Sequence, residues 1–198
     1  DEEAVLIRPV KPFTFVSGAV SPIYIDLRLL TRSPVRRRRV SELLAEGINA
    51  LCRYDKPDAV AGVATAGISW AAWAAERMES PMAYVRDAPK GHGRGQQVEG
   101  GLRLGQSAVV VEDLTSTGAS AITAVEGLRQ IGVRADCVIS ICTYGAPRAD
   151  RSFGNAWVRH ASLCTVATVL DVAVSGERIS RDAHRLVMEW LTTGPMAG

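Results

Sequence analysis

Glu112 and Asp113 stand side by side at the end of a short apolar run, Ser107-Ala-Val-Val-Val111. A loop of hydroxyl and small residues follows, Thr115-Ser-Thr-Gly-Ala-Ser120. Apolar residues then recur at helical spacing: Ile122, Val125, Leu128 and Ile131. The β-branched run reads as a buried strand. The order is therefore strand, acidic pair, hydroxyl loop, helix. Loop amides and a helix N-terminus suit a phosphate group. A phosphate repels carboxylates, so the acidic pair is better aimed at sugar hydroxyls or a metal. No Gly-x-Gly-x-x-Gly follows the strand, and no Gly-Lys-Ser/Thr closes the loop, so dinucleotide and Walker sites do not fit. The competing reading is an ordinary strand–turn–helix with a polar turn.

A second stretch with chemical potential is Arg86-Asp-Ala-Pro-Lys-Gly-His-Gly-Arg-Gly95. Lys11, Lys56 and Lys90 are the lysines of the chain, against many arginines. A lysine in a glycine-rich loop is thus an unusual choice. The plain alternative is a solvated surface turn.

The elements that would position these residues alternate along the chain. Phe13 to Arg28 holds two strand-like runs around Ser17-Gly18, which suggests a hairpin. Ser33-Pro34 is an N-cap and first-turn pair, and Val40, Leu43, Leu44, Ile48 and Leu51 form the stripe of the helix behind it. Arg36 to Arg39 point all round that helix, as a solvated or dimer-edge surface does. Ala59–Ala64 reads as a strand ending in Thr65-Ala-Gly67, with a helix through Trp70, Trp73, Ala74 and Arg77. Met82–Arg86 and Asp136–Thr143 read as strands. Ser162–Val174 and Ser180–Leu191 read as strand–helix and helix, stopped by Gly194-Pro195. Such alternation implies an α/β fold with a mostly parallel sheet covered on both faces. Ligands bind such sheets beyond the C-terminal strand ends. Thr65, Arg86 and Asp113 all fall at such ends and could share one crevice.

Composition narrows the function classes. The chain has 198 residues, 47% of them hydrophobic, enough for one sizeable domain. A net charge of +2 does not by itself call for a nucleic-acid partner. No apolar run approaches a membrane span, and no signal-peptide pattern opens at Asp1. Cys52, Cys137, Cys142 and Cys164 lack zinc spacing. Cys137 and Cys142 in one strand would lie about 16 Å apart, too far to bridge. Buried reduced thiols and a cytoplasmic location are the expectation.

Four stretches together resemble the orotate phosphoribosyltransferases, a branch of the type I phosphoribosyltransferase family. They are Ser17-Gly-Ala-Val-Ser-Pro-Ile-Tyr-Ile-Asp-Leu-Arg28, Gly62-Val-Ala-Thr-Ala-Gly-Ile68, Tyr84 to Gly93 with Val98-Glu-Gly100, and Val111 to Ser120. Ile139-Ser-Ile-Cys-Thr-Tyr-Gly145 looks like the bacterial branch. The resemblance implies a type I phosphoribosyltransferase fold over residues 1–198. Its parts would be a hood at 1–30, a core at 34–160 and C-terminal helices at 161–198. It implies transfer of phosphoribose from phosphoribosyl pyrophosphate (PRPP) to orotate, with Mg²⁺. Bond breaking at C1 leaves positive charge on the ribose and negative charge on the departing pyrophosphate, which nearby cations stabilise. Arg86, Lys90 and His92 would do so. Lys90 can swing a compact charge on a flexible stem, and His92 could serve as a general acid. Gly91, Gly93 and Gly95 would let the loop close as a lid. Thr65-Ala-Gly67 would bind pyrophosphate through its backbone. Glu112 and Asp113 would hold the ribose hydroxyls, with Asp113 near water on the metal and no direct protein ligand to it. Thr115, Ser116, Thr117, Gly118, Ala119 and Ser120 would hold the 5′-phosphate, with Ser116 also touching orotate. Tyr24 would lie against the base. A homodimer is implied, with loop 87–95 reaching into the neighbour's site. His160 and His184 match nothing catalytic and read as structural or surface residues.

Three departures stand out. The family's lysine beside the Ser-Gly turn is missing; Val16, Ala19 and Val20 occupy its neighbourhood. Asp87 and Ala88 follow Arg86 where a second lysine is common. Ala119 replaces a usual glycine. Two other readings therefore stay open: a phosphoribosyltransferase with a different acceptor, and a PRPP-sensing regulator on the same fold.

Overall fold

The computed structural model describes residues 4–8, 11–14, 20–87 and 97–193. Lys90, His92 and the Val16–Ala19 stretch lie outside the described residues. Four short strands open the chain: β1 (Val5–Ile7), β2 (Phe13–Thr14), β3 (Val20–Ser21) and β4 (Ile23–Ile25). The expected hairpin is only partly what forms. β2 pairs antiparallel with β3, while β4 pairs antiparallel with β1. The sequence around Val5–Ile7 is too short to announce a strand by alternation; it becomes one because Ile23 and Ile25 are buried and bring Tyr24 opposite Leu6. A 3₁₀ turn, Leu27–Arg32, follows. Asp26 caps it by accepting from the Arg28 N–H.

Helix α1 (Pro34–Leu51) starts where Ser33 and Pro34 predict. Ser33 Oγ accepts from the Arg36 N–H, and Pro34 sits in the first turn, where its missing N–H costs nothing. Leu44 and Ile48 are fully buried, with Val40 and Leu51 at the edge of the same core. Of the basic run, Arg37 stacks over Trp73 at 5.0 Å and bonds the Thr31 carbonyl; Arg36, Arg38 and Arg39 face solvent. The next strands and helices alternate: β5 (Ala59–Val63), α2 (Ala66–Arg77), β6 (Met82–Val85), β7 (Val98–Glu99), β8 (Ser107–Thr115), α3 (Ala119–Gln130) and β9 (Arg134–Thr143). Then come α4 (Pro147–Asn155), β10 (Arg159–Thr165), α5 (Val166–Ser175) and α6 (Arg181–Thr193).

The central sheet has the order β10-β9-β8-β5-β6-β7. All its pairings are parallel except that of the edge strand β7 with β6. The two-residue period of β8 and β9 divides the core into two layers. Val109, Val111, Cys137, Ile139 and Ile141 point to the face covered by α1, α2 and α5. Ala108, Val110 and Val138 point to the face covered by α3 and α4. Helix α4 has no counterpart in the sequence reading. Its apolar stripe is only Ala149 and Phe153, too sparse to register as periodicity. The stripe of α3 also differs from expectation: Ala121, Ala124, Val125 and Leu128 are buried, whereas Ile131 is the C-cap and partly exposed.

Among the described residues Trp70 is the largest fully buried side chain, and its ring meets Trp73 edge-on at 5.1 Å. Trp70→Ala should cost about 3–5 kcal/mol of stability. Urea unfolding monitored by circular dichroism checks this; a loss below about 1 kcal/mol would mean the surrounding layer collapses onto the site.

Candidate active site

The acidic pair lies inside β8, not after it. The sequence ends the strand near Glu112, but β9 keeps pairing beyond that point. Glu112 lies opposite Ser140, Leu114 opposite Cys142 and Thr115 opposite Thr143. The Tyr144 N–H then donates to the Thr115 carbonyl at 2.9 Å. Strand alternation turns the two carboxylates to different environments. Glu112 is 8% exposed, whereas Asp113 is half-buried. Loss of hydration, with the Asp113 charge adding to it, pushes the Glu112 pKa up to about 9. In the free protein at neutral pH Glu112 is therefore a neutral carboxyl, able to donate as well as accept. Its Oε1 accepts from the Asp113 N–H at 3.2 Å.

Three backbone segments meet beside this pair. A Cβ on Gly67 would lie 2.6 Å from the Val111 carbonyl oxygen and 3.6 Å from the Glu112 Cα. A Cβ on Gly62 would lie 2.7 Å from the Gly67 carbonyl oxygen. Only glycine allows the Thr65-Ala-Gly67 turn to sit against β8 at this distance. Thr65 is exposed at the N-cap of α2, and the Ala64–Thr65 peptide is cis. Neither α2 nor α3 has a side-chain hydrogen bond at its N-cap. The first-turn amides of both helices thus face the crevice without an internal cap, as anion sites require.

Gly118 is the N-cap of α3 and has φ +79°, the left-handed region that glycine enters freely. A Cβ there would lie 3.0 Å from the Phe153 ring, so the loop rests directly on α4. Phe153 stacks on His160 with centroids 4.4 Å apart and planes 16° from parallel. The His160 Nε2 lies 3.1 Å from Ser140 Oγ and 3.4 Å from Thr115 Oγ1. His160 is structural, as its sequence suggests. Its placement under the loop, and that of Phe153 and Ser140, carried no motif in the sequence. His184 accompanies Asp171 at 2.8 Å on the exterior, away from these residues.

Arg86 closes another side of the crevice. It follows β6, next to β5, and Ala64 N–H donates to the Val85 carbonyl. Its N–H donates to the Gln97 carbonyl and its carbonyl accepts from Gln97 Nε2, at 3.0 and 2.9 Å. Gly127 of α3 makes room for that glutamine. Tyr24 stacks at a tilt on Phe13, over whose ring the Arg8 guanidinium also lies, at 4.6 Å. Arg28 is paired with Asp26, which it grips through Nε and Nη2, each at 2.7 Å. The side chain of Val20 is exposed, and its carbonyl accepts from Trp190 Nε1 of α6. Thr65, Gly67, Arg86, Glu112, Asp113 and Thr115–Ser120 thus gather at one end of the sheet, whereas Tyr24 lies on β4, outside that sheet.

The donor set tests what metal could bind. Among the described residues no group of three or more His, Cys, Asp or Glu side chains could hold an ion. Burial disfavours the charged form of Glu112, and Asp113 is the more exposed carboxylate of the pair. That set fits a Mg²⁺ that keeps its waters and takes most of its oxygens from phosphates.

Residues 30–175 match the phosphoribosyl transferase domain family. The chain is 43% identical over 192 residues to the orotate phosphoribosyltransferase of Bacillus subtilis, covering 96% of this chain and 87% of that protein. Among solved structures, the orotate phosphoribosyltransferase of Aeropyrum pernix superposes with a TM-score of 0.74 at 33% identity, over 88% of this chain and 95% of that one. The UMP synthase of Leishmania donovani gives a TM-score of 0.81 at 26% identity, over 96% of this chain but only 40% of that longer protein.

The raised Glu112 pKa has a stability consequence. The folded state holds a proton that the unfolded chain releases near pH 4.5, so this contribution is complete below that pH and is lost as pH rises toward about 9. Glu112→Gln, which mimics the neutral form, should lose less stability than the parent between pH 5 and about 9. Urea midpoints at several pH values decide it: parallel curves for the two proteins would place the Glu112 pKa near its ordinary value.

Proposed function

Because the chain belongs to the orotate phosphoribosyltransferase family, we infer that it transfers phosphoribose from PRPP to orotate, giving orotidine 5′-monophosphate and pyrophosphate in pyrimidine nucleotide synthesis. The observation that carries this is the acidic pair beside a hydroxyl loop and an uncapped helix, in a chain so similar to named enzymes over almost its whole length. The C1–oxygen bond to pyrophosphate breaks with its electron pair leaving on oxygen, and a ring nitrogen of orotate bonds to C1 as its N–H proton passes to the departing pyrophosphate or to solvent. Loop residues Thr115–Ser120 hold the 5′-phosphate with the α3 amides. Glu112 and Asp113 bind the ribose hydroxyls; a neutral Glu112 adds a donor where two carboxylates would only accept. Thr65-Ala-Gly67 binds pyrophosphate through its amides, with Arg86 alongside. Lys90 and His92 meet the charge that builds on the leaving group. Asp113 would hold water of a Mg²⁺ bound with PRPP, which would supply further positive charge for the leaving group. The enzyme works as a homodimer in the cytoplasm, with loop 87–95 acting on the partner's site. Four free cysteines suit a reducing compartment.

The acceptor carboxylate has no lysine at Val20, and Arg28 is already paired with Asp26. Backbone amides, with Arg28 shared between Asp26 and the ligand, take that place and leave orotate with a high KM. A buried carboxylate lacking one partner typically loses about 3–5 kcal/mol, so the effect is large enough to measure.

Loss of orotate's near-ultraviolet absorbance in the presence of PRPP and Mg²⁺ tests the assignment. The parent should turn over, and Val20→Lys should lower the KM for orotate; Val20 is exposed enough to accept the longer chain. No turnover by either protein, despite sound PRPP binding, would discard orotate and leave a phosphoribosyltransferase with another acceptor. Lys90→Ala should lower kcat by about a hundredfold or more with little change in PRPP affinity. Exchanging its subunits with those of Asp113→Asn should recover about a quarter of parental activity, since half the dimers would carry one intact site. No recovery would mean that the loop serves its own subunit.

A further inference from the structure

We propose that His160 is a positioning residue for the phosphate loop: it holds Thr115 and, through Phe153, Gly118 where the loop amides can take the 5′-phosphate of PRPP. The assignment rests on reading Thr115–Ser120 as the phosphate loop.

Nothing within the loop fixes its own amides. Gly118 has left-handed backbone, and the α3 N-terminus has no side-chain cap. The loop's geometry must therefore come from what lies beneath it. Two supports are visible, and both lead to His160. The first is Thr115, 2% exposed, the last residue of β8 before the loop. Its carbonyl is held by the Tyr144 N–H at 2.9 Å and by Thr143 Oγ1 at 3.3 Å. Its own hydroxyl is met by His160 Nε2, which also meets the fully buried Ser140 hydroxyl. Without the ring, both buried hydroxyls would lose the partner they have here, and such groups are costly to leave unpaired. The second support is the Phe153 ring, in contact with Gly118 on one side and stacked on His160 on another. His160 thus joins β10, β9, β8 and α4 at one point under the loop.

The ring contributes as a neutral group. Burial pushes its pKa down, with the charge of Asp150 on α4 pulling the other way. It meets the loop at the buried Thr115 hydroxyl and, through Phe153, at Gly118, so its effect on a ligand runs through the loop. Small displacements of groups that position a substrate are enough to weaken it.

The intact enzyme with His160→Ala, His160→Gln and Phe153→Leu tests this, using KM for each substrate, kcat, calorimetric PRPP affinity and the thermal midpoint. His160→Ala should raise the KM and Kd for PRPP about fivefold to twentyfold, within the range that small displacements of positioning groups produce, while the orotate KM changes little. His160→Gln keeps a nitrogen donor for Ser140 and Thr115 and should recover part of the loss. Phe153→Leu removes the ring under Gly118 but spares those bonds, and should also weaken PRPP selectively. If His160→Ala does not fold, the other two variants decide by the same criterion. PRPP affinity within twofold of the parent in the folded variants would overturn the assignment. Equal losses for both substrates, following the fall in thermal midpoint, would overturn it too. A parent that fails to bind PRPP would instead overturn the phosphate-loop reading, and this assignment with it.

Discussion

The contact on which the site depends is between backbones. Gly67 approaches the Val111 carbonyl, and Gly62 approaches Gly67, at distances no side chain would allow. This packs the turn after β5 directly against the strand that carries Glu112 and Asp113. Two uncapped helix starts, one from α2 and one from α3, therefore open on the same crevice. An anion with phosphates at both ends can be held by both at once. A methyl group at either glycine would push these segments apart and separate the two halves of the site.

A second constraint is the length of the β8–β9 ladder. It runs through the acidic pair to Thr115 and Thr143. Residues that a turn would leave solvated are thereby drawn into the sheet. The result is an asymmetric pair: Glu112 is buried and kept neutral, while Asp113 reaches toward solvent. Two carboxylates of equal exposure would repel each other and any phosphate nearby. Removing one charge by burial gives a surface that can donate and accept toward hydroxyls.

The N-terminal strands and the C-terminal helices share a core with the main sheet. Ile23, Ile25 and Leu27 lie in the same apolar layer as Val109, Ile139, Leu170 and Val187. Trp190 meets Tyr144 at 6.2 Å and caps the Val20 carbonyl. The short N-terminal strands are thus held by the end of the chain as well as by their own pairings.

Much of this was legible in the sequence, because the relevant signals are local. The apolar run of β8, the Ser33-Pro34 start of α1 and the alternation of strands with helices follow from side-chain period and backbone preference. The Thr115–Ser120 loop and the acidic pair suggested a phosphate-and-sugar site through residue type and spacing. The rest needed contacts between distant segments. Residues 5–7 become a strand only through pairing with 23–25, and β8 extends past Glu112 only because β9 continues beside it. Glu112 and Asp113 look alike in the sequence; their difference in charge comes from which face of the strand is dry. Helix α4 has too few apolar residues to announce itself, yet its Phe153 and the His160 beneath it hold the loop. Chemistry was readable from neighbours in the chain, whereas burial and support belong to neighbours in space, which only the folded structure brings together.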